Sequence, residues 1–153
     1  MSVERLDLSC DVLVAGGGPS GAACALAAAR TGASVILCQD RSVLGGNASS
    51  EIRMHMVGAD ASGKRGVHLK TEAREGGLIE EIRLETAYRN PQRSASMLDL
   101  IFYEKCHAEP GLRLMLNTTV DGVELDAGVI VAAHATRAST EDCFRVTAQV
   151  FVD

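Results

Sequence analysis

Gly16, Gly18 and Gly21 fill the pattern G-x-G-x-x-G inside the stretch VAGGGPSGAA, residues 14–23. The spacing points to phosphate chemistry. In such a turn the first glycine allows a tight bend, the second lets a pyrophosphate approach the backbone, and the third lets helix and strand pack closely. Pro19 and Ser20 lie in the same turn and belong to the candidate set. The helix that follows presents free N–H groups and a positive dipole end to an anion. An idle glycine loop is the competing reading, but an apolar run before the motif and an alanine-rich run after it supply the context that binding requires.

A dinucleotide site calls for an acidic residue about 20 residues further on, at the end of the next strand, to hold ribose hydroxyls. That strand ends Cys38-Gln39-Asp40-Arg41. Gln39 takes the place of the usual acid, and Asp40 comes one residue late. Gln39 can exchange a hydrogen bond with ribose, Asp40 can turn inward, and Arg41 can reach a phosphate or lie along adenine. These residues leave all three roles open. A second glycine pair, Gly45-Gly46, follows in LGGNASSE and is succeeded by Asn47. A simple NAD domain does not need it.

Other reactive residue types give less. Glu51, Arg53 and His55 follow the second glycine pair and are candidates for touching substrate or tuning a cofactor; polar residues of a long loop are the plainer reading. His68, His107 and His134 have no metal-ligand spacing with one another, so no metal site is expected. Cys106 and Cys143 lack a CxxC partner, and Ser49-Ser50 lacks a nucleophile-elbow context. No catalytic residue is assigned.

These residues must be held by strands and helices. CDVLVAG reads as a buried parallel strand that stops at glycine. PSGAACALAAARTG reads as a helix, with Pro19 in the first turn and Gly32 at the stop; Ala25, Ala29 and Gly32 are expected to seat it on the sheet. ASVILCQD is a second buried strand, which completes a β-α-β unit. Residues 41–77 hold seven glycines and read as a functional loop region. LIEEIRLETAYRN reads as a helix with Leu78, Ile79, Ile82 and Ala87 inward. SASMLDLIFYEKCHAE is a clearer helix, with Met97, Leu98, Ile101, Phe102 and Cys106 on one face and a capping box from Ser96 to Asp99. LRLMLNT, TVDGVEL, GVIVAAHAT and CFRVTAQVFVD read as strands, with turns at Asp121-Gly122 and Asp126-Ala127-Gly128.

Bulk properties set the class. A chain of 153 residues with 46% apolar content suits one globular domain. A net charge of -5 and only 3% aromatics argue against a nucleic-acid partner. Five cysteines without a CxxC pair fit a reduced, cytoplasmic chain. No run approaches the roughly 18–20 apolar residues of a membrane span, and MSVERLDLSC has no signal-peptide core.

The stretch DVLVAGGGPSGAACALAAARTGASVILCQDRSVLGGNASSEIRM resembles the N-terminus of the FAD-dependent oxidoreductases, two-dinucleotide-fold flavoproteins of the glutathione-reductase type. The resemblance is strong over residues 10–54; from 55 to 153 it rests mainly on element order. It implies an α/β fold, a Rossmann-like parallel sheet with helices, with an antiparallel β-meander packed on it and then a return strand. It implies FAD as cofactor. Gly45, Gly46 and Asn47 then add backbone near the pyrophosphate, and Val120 joins the cofactor-binding set. In the family, a strand such as AQVFVD runs into a Thr-Gly turn, whereas this sequence stops at Asp153. Residues 1–153 are therefore expected to be the N-terminal part of an FAD-binding domain, incomplete at the C-terminus and without a substrate domain. The longer protein is expected to be an enzyme, with a small-molecule substrate and an oligomeric state left open. The alternatives are an NAD(P)-binding dehydrogenase domain and a non-catalytic dinucleotide-binding fragment.

Overall fold

The computed structural model describes residues 5–54, 56 and 76–153. Its strands are β1 (Arg5–Ala15), β2 (Val35–Cys38), β3 (Leu112–Met115), β4 (Thr118–Asp126), β5 (Val129–Arg137) and β6 (Asp142–Val152). The helices are α1 (Pro19–Arg30), α2 (Gly77–Arg89) and α3 (Ala95–Ala108). One six-stranded sheet runs in the order β3-β2-β1-β6-β5-β4. The first four strands in that order are parallel. The remaining pairs, β6 with β5 and β5 with β4, are antiparallel.

Alternation along the central strands divides the core. Val14, Val35 and Leu37 face one side, where Ala22, Ala25, Leu26 and Ala29 of α1 join Ile82 of α2 and Phe102 and Cys106 of α3. Small side chains on α1 let its axis lie close to the sheet. Leu13, Ile36 and Cys38 face the other side, with Met115, Ala133, Ala135, Phe144 and Val146. This second core holds no helical residue, and strand β4 reaches across to touch β2. The antiparallel strands therefore do two things at once. They continue the sheet by hydrogen bonds, and they curl back to cover its second face. The third meander strand is itself the return strand: β6 pairs antiparallel with β5 and, over most of its length, parallel with β1.

Several local expectations change. Gly32 stops α1 with φ +97, but a side chain there would meet nothing within 4 Å, so it does not seat the helix. Ala87 is exposed. The cap of α3 is Ser94, not Ser96, and it makes no side-chain cap hydrogen bond. Asp99, three residues on from Ser96, is buried and bonds elsewhere. The turn at Ala127-Gly128 is as expected, with both residues at positive φ between the paired Asp126 and Val129, but Asp121-Gly122 makes no turn and lies within β4 at a register shift.

Charged side chains fasten the helices to one another. Arg30 of α1 bonds Glu81 of α2 and Glu109 after α3. Lys105 of α3 contacts Glu81 and Glu85 of α2. Arg30, and after it Lys105, holds the Glu81 carboxyl down at about 2 through hydrogen bonds.

Candidate functional site

Strand β1 ends at Ala15, and the chain turns through Gly16 at φ +110, a conformation that L side chains rarely adopt. The Gly16 amide donates to the Cys38 carbonyl at 2.8 Å, which ties the turn to the end of β2. The four glycines then separate by role. A Cβ on Gly21 would collide with the Gly16 carbonyl oxygen, and one on Gly17 with the Leu44 side chain. Gly18 is different: its φ and ψ of -63 and 178 suit any residue, and a Cβ there would meet nothing within 4 Å. Protein packing requires Gly21, and at Gly17 a side chain would force the buried Leu44 methyl to shift. The open space beside Gly18 fits a ligand that approaches the backbone.

Gly18 is also the N-cap of α1, with no side-chain cap hydrogen bond and no acid in the first turn. The N–H groups of that turn and the positive helix end are therefore left for an outside anion. Pro19 stands at the first helical position, where a missing N–H costs nothing, and Ser20 beside it is exposed.

The second glycine pair lies directly on the first turn. The Gly45 amide donates to the Gly17 carbonyl at 2.8 Å, and a Cβ on Gly46 would come within 3.2 Å of the Gly18 Cα. Gly45 takes φ +102, and Gly46 begins a single 3-10 turn, Gly46–Ala48. Asn47 in that turn is exposed. Buried Asp99 of α3 pins the segment by accepting a 2.9 Å hydrogen bond from the Ser50 amide.

Gln39 takes a role that sequence did not reveal. It is only 5% exposed. Its Oε1 accepts from the Gly17 amide at 2.6 Å, and its Nε2 donates to the Val43 carbonyl at 3.2 Å. Both ends of the amide thus brace the glycine turn from within. Asp40 and Arg41 are exposed beside it, 3.5 Å apart in an ion pair. The backbone here is laced to the β3–β4 turn: Thr118 donates its amide to the Gln39 carbonyl, and Asn117 to that of Arg41. Val120 follows in β4 and lines an apolar cleft of about 340 Å³ with Ala15, Leu13 and Phe151.

The other tempting residues scatter. Glu51 is exposed, Arg53 lies in a turn after the glycine pair, and His55 and His68 fall outside the described residues. His107 stacks on Tyr103, and His134 meets Glu124 and Arg5. No His, Cys, Asp and Glu cluster that could hold a metal occurs among the described residues. All five cysteines are free. Burial pushes the thiols of Cys38 and Cys106 up to about 12, so neither is a nucleophile near neutrality. No described helix is long and apolar enough to cross a membrane.

Gly17, Leu44 and Asp99 are the site residues that sequence reasoning missed. Gly17 occupies a free position of the motif, and only its neighbours Leu44 and Gln39 crowd it. A buried aspartate on an apolar helix face was the available signal for Asp99.

Comparison with known proteins shows the family and the fold. The family model described as FAD dependent oxidoreductase matches residues 11–153. No curated protein matches the chain. Among solved structures, THI4 of Thermovibrio ammonificans is similar with a TM-score of 0.61 at 18% identity, over 95% of this chain and 57% of that one. The myxobacterial FAD-dependent halogenase CndH gives 0.58 at 14%, over 95% and 37%. L-proline dehydrogenase from P. horikoshii gives 0.53 at 17%, over 96% and 22%. The chain thus spans between about a fifth and three fifths of the length of these structures.

Proposed function

The chain belongs to the FAD dependent oxidoreductase family, and from that premise we propose that its glycine turns hold the FAD pyrophosphate within a flavin-dependent oxidoreductase. The observation that carries the reading is the open backbone at Gly18, between the uncapped start of α1 and the Gly45-Gly46 pair. Gly16, Gly18, Pro19, Ser20 and Gly21 form one wall of the cradle. Gly45, Gly46 and Asn47 form the other. Amides at the helix start balance the phosphate charge, and the glycines keep side chains out of its path.

With both amide atoms of Gln39 engaged, the ribose falls to exposed Asp40, one residue beyond the usual place. Arg41 beside it is placed for phosphate or adenine, and Val120 with Ala15 offers an apolar surface at the same strand ends. Bound FAD supplies hydride and electron transfer; this chain's residues supply position and charge.

We read residues 1–153 as the N-terminal part of the FAD-binding domain. The matched structures are longer than this chain, which supports a substrate domain contributed by further sequence. Free cysteines, two of them held as neutral thiols by burial, support a reducing, cytoplasmic setting.

The test is cofactor identity. Protein expressed from the complete gene is denatured, and the released small molecules are separated by chromatography and read by fluorescence. FAD is expected. Release of NAD or NADP without flavin would select the dehydrogenase reading instead.

A further inference from the structure

A second opening lies beyond the Gly45-Gly46 pair, between residues 48–54 and 56 on one side and helices α2 and α3 on the other. It is a cleft of about 870 Å³, and Arg53, Arg83 and Arg93 all line it. Elsewhere the described arginines are mostly matched to acids. Arg30, Arg41, Arg89, Arg137 and Arg145 each have a carboxylate partner. Among the described residues no carboxylate pairs with Arg53, Arg83 or Arg93. Three guanidinium groups around one cleft, without a carboxylate partner among the described residues and in a chain of net charge -5, require an explanation.

The backbone marks the same place. Arg53 and Arg93 both have positive φ, 65 and 57, although neither is glycine. Such a backbone is costly and persists only where its surroundings enforce it. At Arg93 the enforcement is visible. Buried Asn90 receives the Arg93 amide on its carbonyl at 2.9 Å, and its side chain exchanges hydrogen bonds of 2.7 and 2.8 Å with the Ser94 backbone. At Arg53 the amide donates to the Ser49 carbonyl at 2.7 Å, and Nε donates to the Ser50 carbonyl at 3.1 Å. That leaves the far edge of the guanidinium open.

We infer that this cleft is an oxyanion site, which takes the carboxylate or phosphate group of a small acidic substrate. Planar guanidinium forks match a carboxylate or phosphate edge by paired hydrogen bonds. The cleft starts at Ala48, immediately after the second glycine segment. Its assignment to substrate rests on the flavoenzyme reading above; its affinity for an anion does not.

Succinate and inorganic phosphate are the probes, titrated by calorimetry into protein from the complete gene. FAD content and circular dichroism are measured on each sample. Saturable binding of at least one probe is expected. Arg83→Gln and Arg93→Gln should each weaken it about tenfold, about 1.4 kcal/mol, with FAD content unchanged. Arg83→Lys, which keeps the charge and loses the fork, serves if the glutamine variant misfolds; it should weaken binding by a smaller factor. Absence of saturable binding, or binding indifferent to these changes, overturns the site. So does a loss of FAD in step with the arginines, since they would then serve the cofactor. Arginine-dependent binding by protein that carries no flavin would leave the site standing and remove the flavoenzyme reading.

Discussion

The Gln39 side-chain oxygen accepts a 2.6 Å hydrogen bond from the Gly17 amide, so the end of β2 braces the turn after β1. A residue in the position of a ribose ligand here acts on the protein itself. Its neighbour Asp40 remains exposed and available.

That division of labour predicts opposite effects at adjacent positions. Gln39→Leu strands a buried Gly17 N–H and should cost about 1–3 kcal/mol, lowering Tm by about 2–4 °C per kcal/mol for a chain of this size. Asp40→Ala should leave the Tm of FAD-free protein within about a degree while weakening FAD, as expected of an exposed ligand. Thermal unfolding with FAD titration separates them; equal stability loss in both would refute the assignment.

Acid should loosen the helix layer. Glu81 has its folded pKa lowered from 4.5 to about 2, and that of Glu85 is also lowered. Depressed carboxylates contribute stability that is present above about pH 4.5 and lost as pH falls through about 2. Both side chains are partly exposed, which makes the effect modest. Urea unfolding between pH 6 and about 2.5 should show the decline, and Glu81→Gln should flatten it. An unchanged slope in the variant would remove Glu81 from the account.

Thiol chemistry should follow burial. Cys38 and Cys106, with pKa values near 12, should resist iodoacetamide in native protein at neutral pH. Cys24 and Cys143 are only partly buried and should react first. Mass spectrometry of the labelled peptides reads the order; early labelling of Cys38 would contradict the packing of β2.

Most of the fold was legible because it is written in local pattern. The apolar run at 35–38, the alanines of α1 at spacing three and four, and the Ala127-Gly128 turn each specify their own element, while the run at 12–15 marks only the end of β1, which reaches back to Arg5. What was not legible depends on residues distant in sequence. Nothing in Gln39 announces that Gly17 will receive its oxygen, or in Asp99 that Ser50 lies 49 residues away. The dual role of β6 escaped for the same reason, since strand partners are set by topology. At the site, the glycine motif showed its three spaced members and hid Gly17, whose crowding comes from Leu44.

The glycines themselves give the most direct test of the central claim. Gly21→Ala collides with the Gly16 carbonyl and should damage the fold as well as binding. Gly18→Val has permissive backbone angles and no protein atom within 4 Å of its Cβ, so it should fold as wild type. The measurement is bound FAD per chain in Gly18→Val and wild-type protein from the complete gene, with circular dichroism and Tm on the same samples. The account predicts a wild-type circular dichroism spectrum, the Tm of FAD-free wild-type protein and loss of FAD in Gly18→Val. A well-folded variant that retains the wild-type FAD content would contradict it.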